Sequence, residues 1–327
     1  MRRASPSRYN LGEKNARGGR EAHMAIESVA IVGRGAVGML YGSIAERNLG
    51  SDAVEFVMDD ERFARHAGET PLVNGEPLRV RTVSASDAAP VDLVILATKA
   101  TGLDRALDTM ERLVGPRTAI ASLLNGITSE ERVAERFGWE RTVLSVAQGM
   151  DAVFIGGEMT YAHPGEIRFG AAPGTDPGVV DDVADLYGRA GIPYVVEADI
   201  RRRMWVKLML NVGINQTCMA FGGSYGTASE PESEQNRCFV AAMREALAVA
   251  RAEGVDVTEA DLAQMADLVA GIEPDGLPSM AQDHINRKPT EVEEFAGTII
   301  RLAEKHGILV PTNRWLYGRI HEIEAGF

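Results

Sequence analysis

Residues 28–38 read SVAIVGRGAVG and are followed by MLYGSIAERNLG, which ends at Gly50. The apolar run VAIV predicts a strand that is buried on both faces, and the second stretch predicts an amphipathic helix. Between them, three glycines stand at the first, third and sixth positions of one short segment. This spacing permits a tight turn, close approach of the backbone to a pyrophosphate and close packing of helix on strand, while the helix start offers free N–H groups. The segment therefore predicts a dinucleotide site formed by Gly33, Arg34, Gly35, Ala36, Val37 and Gly38.

The alternation of that first unit continues to about residue 199, where short β-rich runs alternate with helical stretches. This pattern predicts a parallel sheet covered by helices on both faces, a Rossmann-type doubly wound α/β fold. The candidate strands are SVAIVG, AVEFVM, DLVILAT, TAIASLL and TVLSVAQ. The later runs MTYAH, EIRFG and PYVVEA alternate more strongly between apolar and polar residues. They predict an antiparallel addition at one edge of the sheet.

Beyond residue 199 the apolar period becomes helical, which predicts an all-helical C-terminal domain at residues 200–327. The candidate helices are RRRMWVKLMLNVGINQTCMAF, NRCFVAAMREALAVARAEG, TEADLAQMADLVAG and TEVEEFAGTIIRLAEKHG. The dinucleotide-binding domain then spans residues 24–199. Residues 1–23 are rich in Arg, Gly and Ser and have almost no apolar periodicity, so we expect a disordered extension there.

Composition restricts the class of function. The chain has 327 residues and a net charge of -13, from 47 acidic against 34 basic residues, and this acidity argues against general nucleic-acid binding. The two cysteines, Cys218 and Cys238, have no partners at metal-ligand spacing, so we expect no metal site and a reducing, cytoplasmic setting. No apolar run approaches the ~20 residues that a membrane-spanning helix needs. We therefore expect a soluble protein.

The end of the second predicted strand bears on the choice of dinucleotide. Asp59 lies somewhat farther beyond Gly33 than the usual ~20 positions of the residue that contacts the ribose. It could accept a hydrogen bond from a 2′-hydroxyl, which favours NAD, whereas Arg62 could pair with a 2′-phosphate, which favours NADP. The alternative is that Asp59-Asp60-Glu61 only caps the next helix.

Polar residues also follow two further predicted strands. The run DLVILATKA delivers Lys99, and SLLNGI delivers Asn125 with Gly126. Because ligands of such sheets bind at the carboxyl ends of the strands, both side chains are candidates for the binding cleft. Each is also a common turn residue, and that alternative stays open.

Three polar residues recur every four positions in MWVKLMLNVGIN, namely Lys207, Asn211 and Asn215. They lie on one helical face and span about 12 Å at ~1.5 Å per residue. Their apolar neighbours indicate a largely buried helix, so these polar groups need partners. A partly desolvated lysine has a lowered pKa and could donate a proton to a carbonyl oxygen, while the asparagines hold substrate oxygens. The alternative is a lysine whose stem lies on apolar surface while its ammonium reaches water.

The segment LPSMAQDHINRKPTEVEEF contains two further candidates, Ser279 and Glu291. From spacing alone, a structural explanation is favoured for both. Ser279 with Gln282 forms a capping-box pattern that would open one helix. Thr290 with Glu293 forms a second one, which leaves Glu291 as a favourable acid in the first helical turn.

Taken together, these elements resemble the ketopantoate reductase family, the 2-dehydropantoate 2-reductases, from about Ser28 to the C-terminus. The matching segments are residues 33–38, 98–100, 125–126, 165–170, 205–215 and 279–291. The resemblance implies a Rossmann domain joined to a helical domain, with the substrate in the cleft between them. It also implies that Lys207 is the general acid and that Glu291 orients substrate or cofactor. The substrate contacts that it implies are Asn125, which also lies beside the nicotinamide with Lys99 nearby, and Asn211, Asn215 and Ser279.

The resemblance predicts NADPH-dependent reduction of 2-dehydropantoate to pantoate, a step towards pantothenate and coenzyme A. Many family members follow the second strand with a basic residue, whereas Asp59-Asp60-Glu61 precede Arg62 here. An NADH-dependent dehydrogenase of another D-2-hydroxy acid is therefore the nearest alternative. A dinucleotide-binding protein without catalysis is the alternative from another class. The expected partner is a small 2-keto acid, not nucleic acid or membrane, and the sequence leaves open whether the chain forms a homodimer.

Overall fold

The computed structural model describes residues 26–327, and the predicted extension at residues 1–23 lies outside the described residues. The change from strands to helices falls between Val196 and Ile200. Within the described part of the chain, no helix is both long and apolar enough to cross a membrane.

Strands and helices alternate through the first part of the chain. In chain order they are β1 (Val29–Val32), α1 (Ala36–Leu49), β2 (Val54–Met58), α2 (Asp60–His66), β3 (Leu72–Val73), β4 (Glu76–Pro77), β5 (Arg81–Ser84), β6 (Val91–Leu96), α3 (Leu103–Met110), β7 (Val114–Ser122), α4 (Ser129–Phe137), β8 (Thr142–Met150), β9 (Val153–Ile155), β10 (Glu158–Thr160), β11 (Pro164–Ala171), α5 (Pro177–Ala190) and β12 (Tyr194–Val196). The second part is helical. Its helices are α6 (Ile200–Phe221), α7 (Tyr225–Ser229), α8 (Glu234–Ala252), α9 (Glu259–Ala270), α10 (Ser279–Ile285), α11 (Thr298–His306) and α12 (Pro311–Glu324).

Eight strands form the main sheet, in the order β12-β11-β8-β7-β6-β1-β2-β5. The strands from β8 to β5 run parallel, while β11 is antiparallel to β8 and β12 is parallel to β11. The predicted α/β fold and its antiparallel edge are confirmed, and β5 is an additional strand that the sequence patterns do not predict.

One part of the edge prediction is wrong, because the run MTYAH does not join the main sheet. Its first residues belong to β10, which lies in a separate four-stranded sheet with the order β4-β3-β10-β9. Strand β10 pairs with β9 and with β3, so it joins these short strands between β8 and β11 to the β3–β4 hairpin.

The main sheet is buried on both faces, as its unbroken apolar runs predict. All four residues of β1 are buried, and successive side chains enter two different cores. On one face, Ile31 packs with Met39 of α1 and Leu186 of α5. On the other face, Val32 packs with Leu107 of α3. The two helix layers hold the parallel strands so that their carboxyl ends meet at one edge of the sheet.

Helix α6 is the centre of the helical domain and packs against α8, α9, α10 and α12. The side chain of Asp199 caps its start by accepting a hydrogen bond from the backbone N–H of Arg202, and Gly222 ends it in a left-handed conformation (φ 68°). The predicted helices are present, with one difference: Glu293–Gly297 forms a π-helical turn before α11. Helix α12, which starts at Pro311, is an addition that the patterns do not predict.

The strand-containing part and the helical part meet where the start of α6 packs on strand β8 of the main sheet. Ile200 and Met204 contact Leu144 and Val146 of β8 in a small apolar cluster. The next turn of α6 therefore passes over the end of β8, and the polar face that begins at Lys207 lies against the carboxyl edge of the sheet.

Because α1 lies very close to the end of β1, a methyl group added at Gly38 should lower the stability of the fold. A Cβ atom at Gly38 would lie 1.9 Å from the carbonyl oxygen of Gly33. We expect Gly38→Ala to lower the free energy of unfolding by about 2 kcal/mol through overpacking, which corresponds to ~4–8 °C in Tm. Thermal unfolding followed by circular dichroism measures this change.

The matched control is Gly318→Ala, at an exposed helical position where a Cβ atom meets nothing within 4 Å. Alanine favours helix more than glycine does, so this variant should keep or raise Tm. Equal melting temperatures for the wild type and Gly38→Ala would contradict the packing described here.

Candidate active site

The glycine segment between β1 and α1 has the geometry that a dinucleotide requires. Gly33 has a φ of 120°, and a Cβ atom there would lie 2.4 Å from the carbonyl oxygen of Ala97 at the end of β6. Gly35 precedes α1 without any side-chain cap, and a Cβ atom there would meet nothing within 4 Å. The N–H groups at the start of α1 therefore face open space, which suits a pyrophosphate.

Arg34 extends from this segment towards the end of α2. Its side chain is only 8% exposed, and one guanidinium nitrogen pairs with Glu69 at 2.5 Å. The other terminal nitrogen is buried and has no hydrogen-bond partner among the described residues. A guanidinium next to the glycine segment suits a phosphate or a ribose oxygen.

Asp59, the residue predicted to select the nucleotide, follows the end of β2. Asp59 accepts a hydrogen bond from the backbone N–H of Arg62 at 2.9 Å and thereby caps α2. Its carboxylate also lies 3.6 Å from the Arg62 guanidinium. The next acid, Asp60, accepts hydrogen bonds from Ser84 and Ser86, and the bond from Ser84 is the main reason that the pKa of Asp60 is lowered.

Lys207 reaches from α6 to the carboxyl edge of the sheet. Its ammonium donates to the side-chain oxygen of Asn125 at 2.9 Å and to the carbonyl oxygen of Ala147 at 2.6 Å. The side chain keeps some contact with solvent, but protein atoms surround the ammonium. This desolvation lowers the pKa of Lys207 to about 8, against the opposing effect of Glu291.

Asn125 connects this lysine to the predicted acid. Its amide nitrogen donates to the carboxylate of Glu291 at 2.9 Å, while its oxygen accepts from Lys207. Glu291 is 7% exposed, and burial raises its pKa, whereas Asn125, Lys99 and Lys207 all favour its ionised form. The three predicted residues Asn125, Lys207 and Glu291 thus form one hydrogen-bonded row across the cleft.

Two turns farther along α6, a second polar group continues the same face. Asn215 is 5% exposed and donates to the side-chain oxygen of Asn211 at 3.3 Å. Its own oxygen accepts from the hydroxyl of Ser279 at 2.9 Å and from the backbone N–H of Met280. The structure therefore brings Asn211, Asn215 and Ser279 together, as it does the lysine row.

Both capping-box interpretations are wrong. Helix α10 begins after Pro278 without a side-chain cap, because the hydroxyl of Ser279 is used by Asn215 instead. Thr290 binds the carboxylate of Glu324 on α12 with both its backbone N–H and its hydroxyl. In each case a tertiary partner competes successfully with the local cap.

Lys99 lies on the sheet side of the cleft and binds a residue of the helical part. Its ammonium binds both carboxylate oxygens of Asp283 on α10, at 2.6 and 2.7 Å. A second bond across the cleft joins Thr128 to Glu294. The binding residues of the two parts are therefore linked directly to each other.

Two residues at this cleft are absent from the sequence-based prediction. Arg203 lies one turn before Lys207 and donates to Gln148 of β8. Its position follows the same four-residue spacing, which could have identified it. Asp283 lies four residues after Ser279 and could have been found in the same way. Residues 26–327 contain no group of three or more His, Cys, Asp or Glu side chains suited to a metal ion.

The fold and this cleft can be compared with known proteins. The sequence profile of the ketopantoate reductase PanE/ApbA family matches residues 29–174, and the profile of its C-terminal domain matches residues 199–324. The chain belongs to the ketopantoate reductase family. Members of this family are oxidoreductases that act on a CH–OH group with NAD(P)H, and this chain is such an oxidoreductase. The resemblance seen in the sequence is confirmed.

Proteins that are similar to this chain are named for different substrates. A 2-dehydropantoate 2-reductase from Caulobacter vibrioides is 30% identical over 292 residues, which cover 88% of this chain and 95% of the relative. A dimeric ketopantoate reductase from Staphylococcus aureus has 22% identity and a TM-score of 0.79, covering 91% of this chain and 99% of that one. A D-mandelate dehydrogenase solved with NADH and anilino(oxo)acetate has 22% identity and a TM-score of 0.80, covering 91% and 98%. Both of these structures have the same fold as this chain.

Because the space at Gly35 is open, a methyl group added there should weaken dinucleotide binding without changing the stability of the fold. In Gly35→Ala the added Cβ atom occupies the space over the start of α1 without touching protein atoms. We expect unchanged Tm but at least roughly tenfold weaker binding of NADPH, because the pyrophosphate can no longer approach the backbone. Titration calorimetry measures the affinity, with Gly318→Ala as the control. Wild-type affinity in Gly35→Ala would remove the glycine segment from the binding site.

Proposed function

We propose that this oxidoreductase reduces 2-dehydropantoate to pantoate with NADPH, a step towards pantothenate and coenzyme A. The observation that carries this proposal is the hydrogen-bonded row of Lys207, Asn125 and Glu291, in which an ammonium of lowered pKa lies between sheet and helical domain. A proton donor of this kind is what reduction of a carbonyl requires.

In the proposed reaction, residues 33–38 would hold the dinucleotide, whose nicotinamide would supply the hydride that the keto carbon takes up. As the carbonyl π electrons move to oxygen, Lys207 donates its proton to that oxygen, and the product is an alcohol. The neutral amine then regains a proton from solvent through the cleft, since its side chain is partly exposed. The carbonyl of Ala147 and the oxygen of Asn125 hold the ammonium in place before the transfer.

The second polar group on α6 supplies the proposed substrate contacts. Asn211 and Asn215 present amide groups on the same face of α6 as Lys207, and Ser279 of α10 adds a hydroxyl beside Asn215. We assign them to the carboxylate and hydroxyl of the substrate, with Glu291 orienting it through its link to Asn125. Lys99 is assigned to the neighbourhood of the nicotinamide, where both carboxylate oxygens of Asp283 hold its ammonium.

For the nucleotide we propose NADPH over NADH. The acids at the end of β2 already have partners: Asp59 caps α2 and pairs with Arg62, and Asp60 binds two serines. Two cations lie nearby: Arg34, which pairs with Glu69, and Arg62, which pairs with Asp59 and has a side chain that is 46% exposed. Both cations suit a 2′-phosphate better than a ribose hydroxyl.

The second candidate is an NADH-dependent dehydrogenase of another D-2-hydroxy acid. It is favoured by Asp59 at the position where an acid contacts the ribose, and by the similarity to a D-mandelate dehydrogenase solved with NADH. We further propose a cytoplasmic homodimer, by analogy with the dimeric ketopantoate reductase of the same fold. Light scattering at several protein concentrations measures the subunit number.

A steady-state assay separates these functions. We expect rapid oxidation of NADPH with 2-dehydropantoate and at least roughly tenfold lower kcat/KM with NADH, because one ion pair to the 2′-phosphate accounts for about that factor. Faster turnover of a branched or aromatic 2-keto acid with NADH would support the second candidate. Dinucleotide binding without turnover of any 2-keto acid would contradict both.

The proposed role of Lys207 predicts a specific pH dependence. The donor must be protonated, and its pKa is lowered to about 8, so kcat/KM for reduction should be constant at lower pH and decline above about pH 8. Lys207→Ala should remove this decline and lower kcat by roughly 10²- to 10⁴-fold, with dinucleotide affinity unchanged. Lys305→Ala, which removes an exposed lysine paired with Glu253, is the control. Wild-type turnover in Lys207→Ala would exclude it as the acid.

A further inference from the structure

One ion pair connects the glycine segment at residues 33–38 with the chain that follows α2. A guanidinium nitrogen of Arg34 lies 2.5 Å from the carboxylate of Glu69. Glu69 follows directly after the turn that ends α2, and its backbone N–H donates to the carbonyl oxygen of His66 at 3.1 Å. The reaction proposed above does not use this carboxylate, although it holds a cation that lies next to the proposed dinucleotide site.

This ion pair lies on the side of the glycine segment where the adenosine ribose of a dinucleotide is expected. In sheets of this kind, the residue that contacts the ribose follows the second strand. Here that strand is β2, which leads through Asp59 directly into α2. Because Glu69 follows α2, the Arg34 side chain extends from the glycine turn towards the unit formed by β2 and α2. A 2′-phosphate on the ribose would lie on the same side of the segment as this guanidinium.

The two partners of the ion pair differ in how they are held. The side chain of Arg34 is 8% exposed, whereas that of Glu69 is 54% exposed. Glu69 also has a second partner, because its other carboxylate oxygen lies 3.0 Å from Nδ1 of His66. The bond to His66 is the main cause that lowers the pKa of Glu69, so this carboxylate is ionised at neutral pH. Glu69 can therefore release Arg34 and still keep a partner.

We propose that Glu69 is a specificity-determining residue for the dinucleotide, because it occupies Arg34 until the 2′-phosphate of NADPH takes its place. This inference rests on the proposed use of NADPH. A phosphate monoester carries roughly two negative charges near pH 7 and has more acceptor oxygens than a carboxylate, so it is the stronger partner for a guanidinium. NADH has a neutral hydroxyl there, which cannot replace a carboxylate beside a buried cation. Competition by Glu69 therefore weakens the binding of NADPH and not that of NADH.

Removal of the competing charge should strengthen the binding of one dinucleotide selectively. In Glu69→Gln we expect NADPH to bind roughly two- to fivefold more tightly than in the wild type, which corresponds to the loss of one partly exposed ion pair. The affinity for NADH should stay the same. Titration calorimetry without a keto acid measures both affinities. A second pair of probes, 2′,5′-ADP and 5′-AMP, differs only in the 2′-phosphate and should show the same selectivity.

The matched control is Glu61→Gln, which removes an exposed acid of α2 that pairs with Arg65. It changes the net charge by the same amount on the same side of the glycine segment, and it should alter neither affinity.

A double-mutant cycle tests whether the effect passes through Arg34. In Arg34→Gln the carboxylate and the phosphate no longer compete for one guanidinium. The binding of NADPH should then be weaker than in the wild type, and adding Glu69→Gln should not strengthen it. The same gain from Glu69→Gln with and without Arg34 would indicate a general effect of surface charge and would overturn the inference.

The outcomes also separate this inference from the proposed function. The relative affinities of the wild type for NADPH and NADH test the proposed nucleotide, whereas the change caused by Glu69→Gln tests the role of Glu69. A gain for NADPH alone supports the inference even if the wild type prefers NADH, or if 2-dehydropantoate is not the substrate. An unchanged affinity for NADPH, or an equal gain for both dinucleotides, overturns it.

Discussion

The arrangement of the cleft depends on one ammonium held at the junction of sheet and helix. Lys207 can lie there only because Asn125 and the carbonyl of Ala147 accept its hydrogen bonds, since a buried charge without partners would be costly. This requirement constrains the surrounding chain. Strand β7 must end before Asn125 so that its side chain reaches the lysine, and β8 must continue beyond its last pair with β7 so that Ala147 is free to accept.

The helix that carries the lysine also sets the distances within the site. Because α6 is continuous from Ile200 to Phe221, Lys207, Asn211 and Asn215 keep one face towards the cleft. The start of α10 and the segment after it complete this face, with Ser279 on Asn215 and Glu291 on Asn125. Each bond alone is weak, but together they fix amide and hydroxyl orientations before a substrate binds, which reduces the reorganisation needed during the reaction.

The sequence predicts those features that arise from local periodicity. The glycine segment, the buried parallel strands and the polar face of α6 all follow from residue spacing within a single element. The capping-box predictions at Ser279 and Thr290 are wrong because the hydroxyls of these residues bind Asn215 and Glu324, which are distant in the chain. Glu130 gives no signal in the sequence, since the run SEER has the composition of an exposed helix start. Its burial is a property of the tertiary packing alone.

Lys207, Glu291 and Glu130 differ in their access to solvent, and this difference suits different tasks. Lys207 keeps some exposure through the cleft, so it can regain a proton after each transfer. Glu130 and Glu291 are 1% and 7% exposed, and burial raises the pKa of both carboxyls. Burial therefore drives the lysine and the carboxyls towards their neutral forms, while their mutual attraction opposes it. A donor in such a balance loses its proton more readily than an exposed lysine does, and that is the property a general acid needs near neutral pH.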